Sequence, residues 1–481
     1  MGTLFGSLEI GRNSLLAQQL GLDITGNNIA NVNTPGYSRQ TVEMETSPPI
    51  ITSIGEIGTG VDVKTISSVR DRYIELQVNQ TTQDQSREQA LSDVLQQVQS
   101  VFNTNDASLQ QNISQFYNSF STLSTDPQSA SFRNSVITQA TNLASSFQTS
   151  AQQLVDTRQN LNQQVSGVVD QVNSLASSIS SLNLSIVSAE AGGASANGLR
   201  DQRGELINKL SELVDVSYYE AQDGTVTISV AGGQSLVTAG FVQPLRAVSN
   251  PPDGMVHVMS GLTDITSRVG SGKLAGLVEA RDQLIPGYQT DLNNLASDII
   301  TSVNTQHRLG IDLYGNAGQD FFNPVAAGTS AALTFSLNPA IAADGQKIAA
   351  SQTDPLPTNP APTPNPGHSG APGDNSNALA LANLASQKLA SGGSLTYAQA
   401  YAALQFKVGT DTQSAQQGVD TQTALLTQVK NLRDSVSGVS LDEEAINMIR
   451  YQKAYEASAR FISVIDQVTS DMIGILGSTT A

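Results

Sequence analysis

Between Leu161 and Ala189, apolar side chains recur at alternating spacings of four and three: Leu161, Val165, Val168, Val172, Leu175, Ile179, Leu182, Ile186 and Ala189. This is the seam of a helix that packs on other helices along its length. No proline interrupts the chain between Pro127 and Pro244. Asp126-Pro127 reads as a helix start, an N-cap acceptor followed by proline in the first turn. One helix over residues 128–188 would be roughly 90 Å long at ~1.5 Å per residue. A small globule has no room for such a rod, so the expected architecture is elongated and mainly α, with a smaller β part.

The two ends of the chain repeat the theme. Leu8, Leu15, Leu22 and Ile29 recur at intervals of seven and predict a helix that stops near Ala30–Asn31. Thr34-Pro35-Gly36-Tyr37 suits a tight turn, since proline presets the first central dihedral and glycine supplies a positive φ at the second. Residues 37–46 and 60–69 alternate as strands. At the other end, Ser440-Leu441-Asp442-Glu443 matches a capping box. Leu441, Met448, Tyr455, Ile462 and Leu476 follow on multiples of seven, with Ile465 and Met472 at companion positions. A parallel stripe of Ala454, Phe461, Val468 and Ile475 makes this last helix apolar on more than one face. The simplest resolution pairs the two terminal helices with each other, coiled-coil fashion, and with copies from other subunits. Head-to-tail packing of that kind builds a helical tube.

The middle divides by pattern. Residues 71–215, 271–322 and 373–439 are predicted to form a long helical domain, broken at Pro286-Gly287 and around residue 409. Residues 216–270 carry short β runs around an Asp223-Gly224 hairpin signal. Seven of the 17 prolines fall between 355 and 372, so 323–372 reads as an irregular, Pro-rich outer segment. Residues 1–70 and 440–481 form the inner terminal-helix domain, with a β-hairpin connector.

Composition excludes several classes of function. A net charge of −18 makes nucleic acid a poor partner. The absence of cysteine removes disulfides, thiolate nucleophiles and zinc–thiolate sites. It also suits a chain that travels unfolded, although chance explains it equally well. The N-terminus has no basic start and apolar core of a cleaved signal, and no apolar run reaches the about 18 residues of a membrane span. His257, His307 and His368 lie in unlike segments and form no ligand motif, and the Gly-rich stretches lack a GK[ST] ending. No enzyme chemistry and no cofactor is expected.

"LDITGNNIANVNTPGYSRQ" and "SGVSLDEEAINMIRYQKAYEASARFISVIDQV" resemble the N- and C-terminal signatures of bacterial flagellar axial proteins, the family of rod, hook and junction subunits. "GLRDQRGELINKLSELVDVSYYEAQDGTVTISVAGGQSLV" and "VNTQHRLGIDLYGNAGQDFF" narrow the resemblance to the subunits between hook and filament. The resemblance covers roughly 1–325 and 373–481. It implies an extracellular structural subunit that joins hook to filament. Its implied partners are copies of itself, the hook protein and a second hook-associated junction protein. It also implies passage through the flagellar type III export apparatus, with an export chaperone on the C-terminal region. Asn27, Asn28, Asn31, Thr34, Pro35, Gly36 and Tyr37 are the assembly candidates; capping and turning within one subunit is an equal reading of them. Two alternatives remain open: another axial subunit of rod or hook, and a secreted coiled-coil type III effector or translocator.

Overall fold

A computed structural model describes residues 2–52, 55–102, 109–250, 254–352 and 373–478; the side chains of 2–5, 52, 250 and 476–478 lie outside that description. The chain is mainly helical with small antiparallel sheets.

Helix α1 (Gly2–Ala30) leads into β1 (Gln40–Thr46), the short strands β2 (Ile50–Thr52) and β3 (Gly55–Ile57), and β4 (Val61–Ser68). β1 pairs antiparallel with β4 and is bulged at Glu43/Met44; β2 pairs with β3. Four helices follow: α2 (Arg72–Phe102), α3 (Leu109–Thr125), α4 (Ala130–Glu190) and α5 (Asn197–Leu213). At 61 residues, α4 is the expected rod. It begins later than Asp126-Pro127 suggests. Asp126 caps a turn by accepting from Gln128 N, and Ser129 is the true N-cap, accepting from Phe132 N at 3.4 Å.

The α4 seam also differs from the expected one. Leu161, Val165, Val168 and Val172 are buried, but the buried line then continues through Ala176, Ile179, Asn183 and Ile186, while Ala189 is exposed. An untwisted helix drifts against a strict heptad. A rod in a mixed bundle has no supercoiled partner to hold the heptad in register.

Strands β5 (Val216–Glu220), β6 (Val226–Val230), β7 (Gln234–Thr238) and β8 (Phe241–Val242) form one sheet in sequence order. β9 (Leu245–Asn250), β10 (Met255–Ser260) and β11 (Thr263–Asp264) form a second. Both sheets are seated on α4. Asn183, fully buried, accepts from Val226 N (3.1 Å) and donates to Val226 O (2.9 Å) and Ala239 O (2.8 Å).

α6 (Gly272–Glu279) passes through a π turn at Ala280–Leu284 into α7 (Ile285–His307). The expected break at Pro286-Gly287 is absent. Ile285 N–H bonds Ala280 O five residues back, and this widened turn accommodates a ring that would strain a regular α-turn.

Residues 323–352 are not an irregular outer excursion. They carry α8 (Ala331–Thr334), α9 (Pro339–Ala343) and β13 (Ser351–Gln352), the last paired with β12 (Gly310–Ile311). Phe335, Ile341 and Ile348 are fully buried, and Phe335 stacks on Phe147 of α4 with centroids 4.8 Å apart. These side chains complete a core with Phe116, Phe120, Phe321 and Phe322, each worth ~1.5–3 kcal/mol when taken from water. The proline-dense remainder, 353–372, lies outside the described residues.

α10 (Ser376–Asn383) precedes α11 (Tyr397–Ser437), one uninterrupted helix of 41 residues. Gly409 does not split it; a helical glycine costs only ~1 kcal/mol, and α11 is held along α2 by Val98, Leu404, Val408 and Ala415. α12 (Leu441–Ser478) closes the chain by packing on α1.

Candidate functional site

The Asn cluster, the turn after it and the start of α12 meet in one polar knot. Asn28 is buried, and all of its hydrogen-bonding capacity is used. Its amide donates to Gln40 O (2.9 Å) and Glu444 Oε2 (3.1 Å); its carbonyl accepts from Gln40 N (3.0 Å) and Tyr37 OH (2.8 Å). The other oxygen of Glu444, itself buried, takes Arg39 Nε at 2.9 Å, and Arg39 Nη1 reaches Glu443 at 2.7 Å. The Tyr37 hydroxyl is pushed up to about 12, first by burial and then by the carboxylates of Asp201 and Glu444. It therefore stays a donor to Asn28.

Local chemistry shapes the turn. Asn31 donates to Asn27 O (3.0 Å) and Asn27 Oδ1 (2.5 Å), and accepts from Thr34 Oγ1 (3.1 Å). Tyr37 N closes the turn on Thr34 O at 3.2 Å, with Gly36 at φ 76°. A side chain at Gly36 would also crowd Glu205, 3.4 Å from its Cβ. Asn27, Thr34 and Pro35 remain exposed at the surface. The candidates thus divide: Asn28 and Tyr37 face inward to α12, Asn31 and Gly36 shape the turn, and the other three face solvent.

On its far side the same segment is tied to the helical bundle. Ser38 N donates to Asp201 of α5 at 3.4 Å, Arg70 Nε donates to Ser38 Oγ at 2.8 Å, and Arg70 also pairs with Asp201. A cleft of about 740 Å³ runs beside this joint, lined by Arg70, Arg200, Arg203, Glu75, Glu220 and Arg433 among others. Most of its charges are paired across it, as Arg200 is with Glu190 and Glu220. Among the described residues, no group of three or more acidic or histidine side chains is placed to hold a metal ion.

The terminal helices meet through small residues. Gly11 and Gly21 of α1 are buried against α12, and Ala17 between them is buried too. A Cβ on Gly11 would lie 2.5 Å from Ile462 Cγ1, and one on Gly21 would lie 2.6 Å from the Tyr451 ring. Ser14 Oγ bonds Ser458 Oγ at 2.7 Å. Leu8, Leu15, Leu22 and Ile29 flank this contact and are half-buried. On α12, Ile462 and Ile465 are half-buried, Leu441, Met448, Tyr455 and Met472 are exposed, and the side chain of Leu476 is outside the described residues.

Sequence reasoning did not anticipate Arg39, Arg70, Asp201 or the buried role of Glu444. The capping box is only half made: Ser440 Oγ accepts weakly from Glu443 N at 3.5 Å, while the Glu443 carboxylate turns to Arg39. Their ionic partners lie from 131 to 405 residues away in the chain, and no local pattern reports them. The small-residue seam carries no hydrophobic period either.

The family model described as flagellar hook-associated protein FlgK helical domain matches residues 95–322. Models for the C-terminal part of flagellar basal body rod FlgEFG proteins and for flagella basal body rod proteins match 415–475 and 8–37. The flagellar hook-associated protein 1 of Bacillus subtilis is 32% identical, over 99% of this chain and 99% of its own. That of Escherichia coli is 27% identical, over 99% and 100%. A solved structure of the flagellar hook junction protein FlgK from Burkholderia pseudomallei shares the fold, with TM-score 0.67 and 20% identity over 75% of this chain and all of that one. With both terminal signatures joined in one knot and a relative matched from end to end, this chain belongs to the flagellar hook-associated protein 1 family.

Proposed function

We propose that the chain is a structural subunit of the bacterial flagellum that joins hook to filament, assembling with its copies in a helical layer through its terminal helices. One observation carries this reading. The polar knot around Asn28 unites both termini in one unit, and the outer side of α12 in that unit is left apolar and open. Ile446 is 66%, Ile449 59% and Val464 60% exposed. Burying such a face is favourable by ~25 cal/mol per Å² of apolar surface, and a patch of this kind marks a protein contact. Residues 1–70 and 440–481 act as the inner unit, and the helical bundle and the sheets stand outside it.

The role is structural rather than enzymatic. Hook protein and a second hook-associated junction protein are the neighbours on either side of the layer. The chain reaches its extracellular place through the flagellar type III export apparatus, and a chaperone holds its C-terminal region beforehand. Among the described residues no helix is long and apolar enough to cross a membrane.

Deleting the gene tests the reading. Electron microscopy is expected to show hooks without filaments, with flagellin released into the medium. Cells lacking hooks would move the chain to the rod or hook, and intact flagella would overturn the proposal.

A further inference from the structure

Between β1 and β4 the connector makes a two-stranded excursion, β2–β3, in which Ile50 pairs with Ile57 and Ile51 with Glu56. Cross-strand partners lie on one face. Ile50 and Ile57 therefore share one side, and Ile51 and Glu56 the other. Both sides are open: Ile50 is 55%, Ile57 41% and Ile51 81% exposed. A lone two-stranded hairpin is marginal in water, and within one chain Ile51 is left almost wholly uncovered. Glu56 has no ionic partner among the described residues.

A surface of matching chemistry lies on α12. Ile462 faces Gly11 of α1. Arg460 and Val464 flank Ile462 two residues to either side, so the ~100° helical step puts both on the side away from α1. Val464 is exposed, and Arg460 has no ionic partner among the described residues. The two residues are one turn apart, with Cβ atoms about 5–6 Å from each other. The Cβ atoms of a cross-strand pair such as Ile51 and Glu56 are about 4.5–5.5 Å apart. An apolar–acidic pair on the hairpin thus matches an apolar–basic pair on the helix, in both spacing and charge.

We infer that the β2–β3 hairpin of one copy docks on the outward side of α12 of a second copy, with Ile51 on Val464 and Glu56 against Arg460. Neither surface suits itself: two hairpins would oppose Glu56 to Glu56, and two helices Arg460 to Arg460. A hairpin-to-helix contact joins two different surfaces, so it can repeat from copy to copy as a helical layer requires. The inference rests on the proposed junction function and adds to it the segment that covers α12.

The chain has no cysteine, so crosslinking reads the contact cleanly. The full-length double variant Ile51→Cys, Val464→Cys is expressed in a strain lacking the parent gene, and its flagella are isolated and oxidised. The expected result is a ladder of multimers of this chain that neither single variant gives. Flagella that carry filaments but give no ladder would overturn the inference alone. So would an internally crosslinked monomer, a dimer from Val464→Cys by itself, or an adduct with a different axial protein. Absence of the chain from isolated flagella would refute the junction reading itself. Charge exchange gives a second readout. Glu56→Arg and Arg460→Glu are each expected to lower the fraction of hooks bearing filaments several-fold, and the two together to restore it. Failure of the pair to restore it contradicts the contact.

Discussion

Asn28 makes four hydrogen bonds to three parts of the chain, and no other residue type can reproduce them. Asn28→Asp keeps the size but replaces two donors with a carboxylate facing Glu444. Each buried group left unmet costs about 1–3 kcal/mol, and two close carboxylates repel. The expected result is faster hydrogen exchange at residues 28–40 and 441–451, with exchange in α4 and α7 unchanged. Unaltered protection at the start of α12 would show that the knot does not hold the ends together. The sequence allowed part of this to be read. Four asparagines before a Thr-Pro-Gly-Tyr turn announce a helix end and a tight turn, because both are local chemistry. Which asparagine turns inward is decided by Glu444 and Arg39, and Glu444 is remote from the cluster in the chain. Gly11 and Gly21 were silent for a related reason: a close helix contact is written in what the side chains lack.

Elements were legible in proportion to how far their pattern is local. The rod of α4, the pairing of β1 with β4 and the Asp223-Gly224 hairpin all follow from periodicity and turn residues. The π turn before Pro286 and the continuity of α11 through Gly409 depend on packing that outweighs local propensity. The segment 323–352 looked irregular because its helices are short, yet it is fixed by buried contacts. His307 shows how firmly. This fully buried ring of α7 holds Gln319 O through Nδ1 at 2.6 Å, and its Nε2 accepts from Ala349 N at 2.9 Å. The second bond requires the neutral ring, and burial lowers the pKa from 6.5 to about 4. A depressed folded-state pKa means that the unfolded chain binds the proton first. The contribution is thus fully present above about pH 6.5 and is lost as pH falls towards 4. At ~1.4 kcal/mol per unit, that is roughly 3 kcal/mol. Thermal melts between pH 7 and 4 should show this loss, and His307→Gln should flatten the slope. An equal slope in the variant would assign the pH dependence to other groups.

At the scale of the molecule, the chain leaves and returns at one place. α1 and α12 pair there, the turn after α1 is bolted to the start of α12 through Asn28, and Ser38 and Arg70 tie that unit to α5 of the bundle. The end signatures and the long helical middle together pointed to a flagellar axial subunit. Composition narrowed the choice: without cysteine there is no thiolate chemistry, and a net charge of −18 makes nucleic acid a poor partner. What the sequence could not convey was which side of α12 stays open, since that depends on the face α1 takes. The proposed function requires this open side to make the layer. Ile449→Asp tests it most directly, because Ile449 is 59% exposed and its replacement should change folding stability by no more than about 0.5 kcal/mol. Electron microscopy of cells making only this variant, with its thermal melt measured beside the parent's, is the decisive measurement. The expected result is an unchanged melt and hooks that carry few or no filaments. An unchanged melt with filaments attached at the parent frequency would contradict it.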